Sequence, residues 1–182
     1  IIGTGSALPR RCVSNDELAT MVETSDEWIT ERSGIRQRYW VGEGESTTSL
    51  ATAAALKALE AAGIAGAELD LLVVGTTSSE FSFPATATLV QAAIGGGGYP
   101  AFDVQAVCSG FVYALAVADA MLKAGQGRYA LVIGADSMSN LLGLEDRATL
   151  VLFGDGAGAV ILEAKPMAEA DGRGILATKL HA

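Results

Sequence analysis

Cys108 is the residue of this sequence best suited to covalent chemistry. It stands where an apolar stretch, 101–107, meets a second stretch that is typical of a helix and carries no charge until Asp119. The unpaired amides at a helix N-terminus carry partial positive charge, which favours a thiolate over a thiol. A thiolate in that position can accept an acyl group. We therefore predict that Cys108 is a nucleophile; the simpler alternative is a small buried residue.

Composition predicts one large α/β domain. Half of the 182 residues are hydrophobic, which is enough for a well-buried core. The short apolar runs at 71–75 and 130–134 are typical of strands that are buried on both faces, as in parallel sheets. The sequence has neither a recognisable signal peptide nor a membrane-spanning stretch, so we expect a cytoplasmic protein.

Charge and cysteine content argue against several classes of function. The formal net charge of −9 opposes binding to nucleic acid or to an anionic membrane. An anionic ligand would need a local basic group, for which the candidates are Arg32, Arg36, Arg38 and Arg147. Two cysteines, Cys12 and Cys108, are too few for a disulfide framework or a cysteine-rich metal site. We expect two free thiols and no metal.

Start and stop signals predict alternating helices and strands. We expect a short helix that opens at 14–17 and further helices at 24–34, 47–62, 86–94 and 108–124. We expect strands at 1–5, 71–75, 101–107, 129–135, 149–153, 157–163 and 174–181. Gly154, Asp155 and Gly156 would join two of these strands as a hairpin, since the run lacks the spacing of a dinucleotide-binding loop.

Six short motifs, in this order along the chain, resemble those of β-ketoacyl-acyl-carrier-protein synthase III, the initiating condensing enzyme of bacterial fatty-acid synthesis. They are IIGTGS at 1–6, TSDEWI at 24–29, SGIR at 33–36, PAFDV at 100–104, CSGF at 108–111 and FGDGAGA at 153–159. The resemblance implies a thiolase-like fold, of which residues 1–182 would be the N-terminal half: a layered unit with a five-stranded mixed sheet covered by helices. The C-terminal half would be absent from this chain.

The resemblance also implies a reaction. Cys108 would take the acyl group from acetyl-CoA or a related short acyl-CoA, and malonyl-acyl-carrier protein would then lose CO₂ and attack the acyl-cysteine. The CoA thioester is a substrate, and no cofactor is implied. The family's histidine and asparagine match no residue here; the sole histidine, His181, would be a strand-end residue. We therefore expect this chain alone to be inactive and to need the C-terminal half as its partner.

Five further residues resemble binding residues of the family. Trp28 and Arg147 would sandwich the adenine of CoA, and Arg32 would approach its phosphates. Thr24 is a weaker candidate for a nucleotide contact. Phe83 would cross the interface of a homodimer to line the partner's acyl pocket. The alternatives are helix packing for Trp28, solvated surface charge for the arginines and core packing for Phe83.

Two other functions stay open on the sequence. One is a different thiolase-fold condensing enzyme, either similar to 3-hydroxy-3-methylglutaryl-CoA synthase or a secondary-metabolite ketosynthase. The other is a non-catalytic half-domain that binds CoA or a partner subunit. The residues of the six motifs favour synthase III. They do not determine the primer length or the docking surface for the carrier protein.

Overall fold

The computed structural model describes residues 1–169 and 172–181 of the chain. Its strands are β1 (Gly3–Ala7), β2 (Arg11–Ser14), β3 (Gln37–Trp40), β4 (Leu71–Gly75), β5 (Ala101–Val104), β6 (Tyr129–Ser137) and β7 (Asp155–Glu163). Its α-helices are α1 (Asn15–Ala19), α2 (Asp26–Ser33), α3 (Thr47–Ala62), α4 (Thr86–Ala93), α5 (Gly110–Lys123) and α6 (Arg147–Leu150). None of these helices has the length and apolarity needed to cross a bilayer.

Five strands form one mixed sheet in the order β1-β7-β6-β4-β5. β4 pairs in parallel with β5 and β6, whereas β7 pairs antiparallel with β6 and β1. β2 and β3, which are separated in the chain by α1 and α2, form a second, two-stranded antiparallel sheet. The predicted α/β architecture with a five-stranded mixed sheet is confirmed.

Helices cover both faces of the sheet. Leu72 and Val74 of β4 pack in the core beneath α3 and α4, while the alternate residues Leu71 and Val73 pack in the core beneath α5. This two-sided burial explains why β4 is apolar at every position, without the alternation of a half-exposed strand. A third core fills the space between the two-stranded sheet, α1, α2 and α6.

The predicted strands at 149–153 and 174–181 are wrong. The first range falls on the end of α6 and the turn behind it, because Asp146 caps α6 by accepting hydrogen bonds from the Ala148 amide (3.0 Å) and the Thr149 hydroxyl (2.7 Å). Asp155 is therefore the first residue of β7 and not part of a hairpin turn. In 174–181, the described backbone pairs with no strand, so His181 is not a strand-end residue; its carbonyl accepts a hydrogen bond from Tyr113 at 3.0 Å.

Candidate active site

Cys108 lies in a sharp turn between β5 and α5. A single 3₁₀ turn, Val107–Ser109, connects the two elements, and Cys108 precedes the first residue of α5 by two positions. Val107 has a φ of +47°, a left-handed conformation that is strained for a β-branched residue. Cys108 is exposed, so the alternative of a buried structural cysteine is wrong. Its role as nucleophile stays a prediction that this geometry favours.

Two glycines let the start of α5 sit directly on the sheet. A Cβ atom at Gly75, the last residue of β4, would lie 2.5 Å from the carbonyl carbon of Gly110. A Cβ atom at Gly134 of β6 would lie 3.0 Å from Cβ of Phe111. The carboxyl ends of the two parallel strands therefore fix where α5 begins, and with it the position of Cys108.

A cavity of about 190 Å³ opens beside the cysteine, and we call it the Cys108 cavity. Its walls come from the ends of β4 and β6, the cysteine turn and the start of β7. The lining residues are Gly75, Val107, Cys108, Phe111, Gly134, Ala135, Asp136, Gly154 and Gly156. Sites that enclose whole drug-sized ligands measure roughly 300–1,000 Å³. The Cys108 cavity can therefore admit only a small part of a CoA thioester.

The amide of Cys108 is available as a hydrogen-bond donor. The next amide, that of Ser109, donates to the carbonyl of Ala106 at 3.0 Å. Within residues 1–169 and 172–181, the Cys108 amide donates to no backbone carbonyl. A free amide beside a nucleophile can stabilise the oxyanion that forms when a thioester is attacked.

Asp136 is a site residue that sequence reasoning missed. Its Oδ1 accepts hydrogen bonds from the Thr77 amide (2.8 Å), the Ser78 hydroxyl (3.0 Å) and the Thr76 hydroxyl (3.3 Å). The carboxylate thus holds the turn that follows β4, where Gly75 contacts α5. The signal was available: Asp136 follows an apolar run at the carboxyl end of a parallel strand, where ligands bind in many α/β folds.

The structure brings three of the predicted CoA-binding residues together, and we call them the Trp28 cluster. Trp28 and Arg32 lie on α2, and Arg147 begins α6. The guanidinium carbons of Arg32 and Arg147 lie 4.5 Å and 4.2 Å from the centroid of the Trp28 ring. These are cation–π distances. Trp28 also packs against the third core, so the alternative of a helix-packing role is partly correct.

Two other candidate residues are less accessible than expected. The hydroxyl of Thr24 is buried and has no hydrogen-bond partner in the described part of the chain, so a ligand contact there stays a prediction. Arg38, proposed above as a candidate for an anionic ligand, is only 5% exposed. That proposal is wrong for Arg38, because its guanidinium donates to the backbone carbonyls of Val13 and Val151 instead.

Phe83 lies on an exposed loop between β4 and α4. Its side chain is 85% exposed, which excludes core packing within this chain, and Phe81 is exposed beside it. Both ends of the loop are fixed. Glu80 accepts hydrogen bonds from the amide (2.9 Å) and hydroxyl (2.8 Å) of Thr48 in α3. Asp103 of β5 accepts two amides of the first turn of α4, each at 2.8 Å.

Known proteins resemble this chain over its whole length. Residues 102–182 match the family model described as 3-oxoacyl-[acyl-carrier-protein] synthase III. The β-ketoacyl-[acyl-carrier-protein] synthase III of Rhizorhabdus wittichii is 62% identical over 182 residues, which are 100% of this chain and 56% of that protein. The synthase III of Novosphingobium aromaticivorans is 62% identical over 184 residues, with 100% and 57% covered.

Solved structures agree with the sequence relatives. The crystal structure of 3-oxoacyl-[acyl-carrier-protein] synthase III from Aquifex aeolicus superposes with a TM-score of 0.88 at 48% identity, over 91% of this chain and 53% of that chain. The chain spans about half the length of the curated relatives it matches, and the matched part is their N-terminal half. Over its whole length the chain is similar to the N-terminal half of β-ketoacyl-[acyl-carrier-protein] synthase III proteins, and its fold is the thiolase-like fold of their solved structures.

Proposed function

We propose that this chain supplies the nucleophile and a CoA-recognition surface to a β-ketoacyl-acyl-carrier-protein synthase III. This acyltransferase would condense a short acyl-CoA, such as acetyl-CoA, with malonyl-acyl-carrier protein and so initiate fatty-acid synthesis. The observation that carries the proposal is the exposed Cys108, which lies in a strained turn at the start of α5 and lines a cavity. Relatives of that name that are 62% identical and match the whole chain support it.

The first step is transfer of the acyl group to Cys108. The thiolate adds to the thioester carbonyl carbon, and an electron pair moves onto the carbonyl oxygen. The free amide of Cys108 can donate to this oxyanion. The oxyanion then re-forms the carbonyl, the bond between carbon and the CoA sulfur breaks, and CoA leaves as a thiolate. The product is an acyl-cysteine.

The second step belongs to the whole protein. The malonyl carbon–carbon bond breaks, CO₂ leaves, and the electron pair that remains forms an enolate. The enolate carbon attacks the acyl-cysteine carbonyl, the Cys108 thiolate leaves, and 3-ketoacyl-acyl-carrier protein forms. Because decarboxylation supplies the electron pair, the reaction needs no cofactor. The histidine and asparagine of the family match no residue here, so this step requires the C-terminal half.

The Trp28 cluster is the proposed site for the adenine of CoA. An indole face and a planar guanidinium can hold a base between them, and stacking on an aromatic ring is worth about 1–3 kcal/mol per base. Arg147 now lies 4.2 Å from the centre of the Trp28 ring. A base that enters between the two must displace the guanidinium from the ring. Arg32, on the same helix, would pair with the phosphates.

The proposed partners follow from the surface. Phe83 is 85% exposed on a loop that is anchored at both ends, which supports a role in a homodimer interface. We place the whole protein in the cytoplasm, where acyl-CoA and acyl-carrier protein are available to such an enzyme.

Exchange of isotopically labelled CoA into acetyl-CoA tests the proposal, because a protein that forms an acyl-cysteine reversibly catalyses that exchange. The condensation needs the C-terminal half, so this chain alone is inactive in the overall reaction. We expect it to support this partial reaction, as should Cys12→Ser, and we expect Cys108→Ser to abolish exchange. Exchange that survives in Cys108→Ser would refute the nucleophile. If the unaltered chain binds CoA but supports no exchange, the non-catalytic CoA-binding half-domain is the better description.

A further inference from the structure

The segment 139–151, which carries Arg147, is held at both ends by buried charged side chains. We call it the Arg147 segment. Asp155 binds its first residue and Arg38 binds its last. We propose that Arg38 and Asp155 are positioning residues for CoA: they tie the Arg147 segment to the two-stranded sheet of β2 and β3 and thereby hold the backbone at Arg147 opposite Trp28, so that the guanidinium can leave the ring and cover the base. This inference rests on the proposed role of the Trp28 cluster in binding CoA.

Asp155 bridges the two-stranded sheet and the start of the Arg147 segment. Its side chain is 5% exposed. Oδ2 accepts the amide of Val41, the residue after β3, at 2.7 Å. Oδ1 accepts the amide of Ser139 at 2.8 Å, and the Ser139 hydroxyl donates to Oδ2. One carboxylate therefore fixes two backbone positions that are 98 residues apart in sequence, 139 against 41.

Arg38 bridges the two-stranded sheet and the end of the Arg147 segment. Its Nη2 donates to the carbonyl of Val151 at 3.1 Å, and its Nη1 donates to the carbonyl of Val13 at 3.4 Å. Val151 follows the last residue of α6, where carbonyls lack intrahelical partners. The backbone also passes close to this side chain, since a Cβ atom at Gly154 would lie 3.1 Å from Cβ of Arg38.

Burial of Arg38 is costly, which argues that the contact has a purpose beyond packing. No carboxylate pairs with the guanidinium in the part of the chain that the structure describes, and Nε has no partner there. Burial accordingly lowers the pKa of Arg38, and Cys12 offsets this only in part. An apolar side chain would fill the same core without that penalty. What the guanidinium adds is a directed hold on the Val151 carbonyl.

α6 transmits this hold to Arg147. Val151 is four positions after Arg147, and the helix between them is one turn, capped by Asp146. A single turn has little freedom to bend, so fixing the Val151 carbonyl fixes the backbone from which the Arg147 side chain extends. Leu150 and Val151 also pack in the third core. The test must therefore separate directed hydrogen bonds from packing alone.

Amide hydrogen exchange without ligand tests the hold on the segment. The variants are Arg38→Met, which keeps an unbranched apolar stem but loses both hydrogen bonds, and Asp155→Asn. Leu18→Ala is the control, because it opens the same core and removes no hydrogen bond to the segment. We expect exchange in the Arg147 segment, 139–151, to accelerate about tenfold in both variants and not in the control, with β4 and β6 unchanged. Equal exchange in Arg38→Met and the unaltered chain would overturn the proposal.

Binding of CoA tests the consequence for the ligand. We expect Arg38→Met to weaken CoA binding roughly tenfold, as the loss of hydrogen bonds to a charged group allows. The same substitution should add no further loss to Arg147→Ala, because Arg38 acts through Arg147. Acetylation of Cys108 by acetyl-pantetheine, which lacks the nucleotide, should be unaffected. Additive losses, or equal losses with acetyl-pantetheine, would contradict the positioning role.

Failure of the proposed function has a different signature. If the unaltered chain binds no CoA, the role of the Trp28 cluster fails, and the positioning of CoA fails with it. Faster exchange confined to 139–151 in Arg38→Met would then still establish the two-ended hold on the segment as a structural feature.

Discussion

Gly75 at the end of β4 and Gly110 at the start of α5 approach so closely that no side chain fits at position 75. A Cβ atom there would lie 2.5 Å from the Gly110 carbonyl carbon. Cys108 precedes Gly110 by two residues, so the contact sets the height of the cysteine turn above the sheet.

Gly75→Ala should move the start of α5 and slow acylation of Cys108. We expect overpacking to lower the free energy of unfolding by about 1–3 kcal/mol. Urea denaturation and the rate of acetylation by acetyl-CoA measure the two effects. Gly158→Ala is the matched control, because a Cβ atom at that glycine meets nothing within 4 Å. A Gly75→Ala chain with unchanged stability and acetylation rate would show that the close approach does not position Cys108.

Asp136→Ala should destabilise the turn after β4. The substitution leaves the Thr77 amide and two hydroxyls without their acceptor, and we expect a loss of about 2–3 kcal/mol in the free energy of unfolding. Asp16→Ala, at an exposed aspartate of α1, serves as the control. Urea denaturation compares the two; equal small losses would mean that the Asp136 network contributes little.

Glu80→Gln should produce a pH-dependent loss of stability. Burial acts to raise the pKa of Glu80, but hydrogen bonds from Ser46 and Thr48 outweigh it and hold the pKa below its usual value. A carboxylate with a depressed folded-state pKa stabilises above its unfolded pKa, and that contribution is lost as the pH falls through the folded value. The difference in unfolding free energy between the unaltered chain and Glu80→Gln should thus be constant above about pH 5 and should vanish below roughly pH 4.

Urea denaturation at several pH values measures this gap. Glu60→Gln, which removes an exposed carboxylate from the opposite end of α3, is the control. A Glu80→Gln gap that is constant from neutral to acidic pH would remove Glu80 as the anchor of the Phe83 loop.

Phe83→Ser should weaken self-association if Phe83 lies at a homodimer interface. Buried aromatic anchors often contribute 2 kcal/mol or more to an interface, so we expect the dimer dissociation constant to rise by at least about tenfold. Sedimentation equilibrium measures it. Leu176→Ser, at a similarly exposed leucine, is the control. Equal dissociation constants for Phe83→Ser and the unaltered protein would exclude this interface.

Much of the fold was readable from local pattern. The apolar runs at 71–75 and 130–134 are strands with both faces buried, and the signals around 47–62 bound α3 at the predicted residues. The range 149–153 failed because its apolar residues resemble a strand, whereas the Asp146 cap and burial in the third core select a helical turn. Local signals decide correctly where they agree with the tertiary contacts.

The site was readable only in part. Cys108 is marked by a strand-to-helix junction, and Trp28, Arg32 and Arg147 by resemblance. Asp136, Asp155 and Arg38 act through backbone groups about 15 to 115 residues away, and no local pattern reports such contacts. The sequence alone predicts Arg38 to be a surface cation, whereas the structure buries it.

Mass spectrometry of the chain after incubation with acetyl-CoA, followed by peptide mapping, tests the central claim most directly. The account predicts one acetyl group on Cys108, undiminished in Cys12→Ser and absent in Cys108→Ser, since both cysteines are exposed and Cys108 lines a cavity at a helix start. An acetyl group on Cys12, or an unmodified Cys108 in a folded chain that binds CoA, would contradict it.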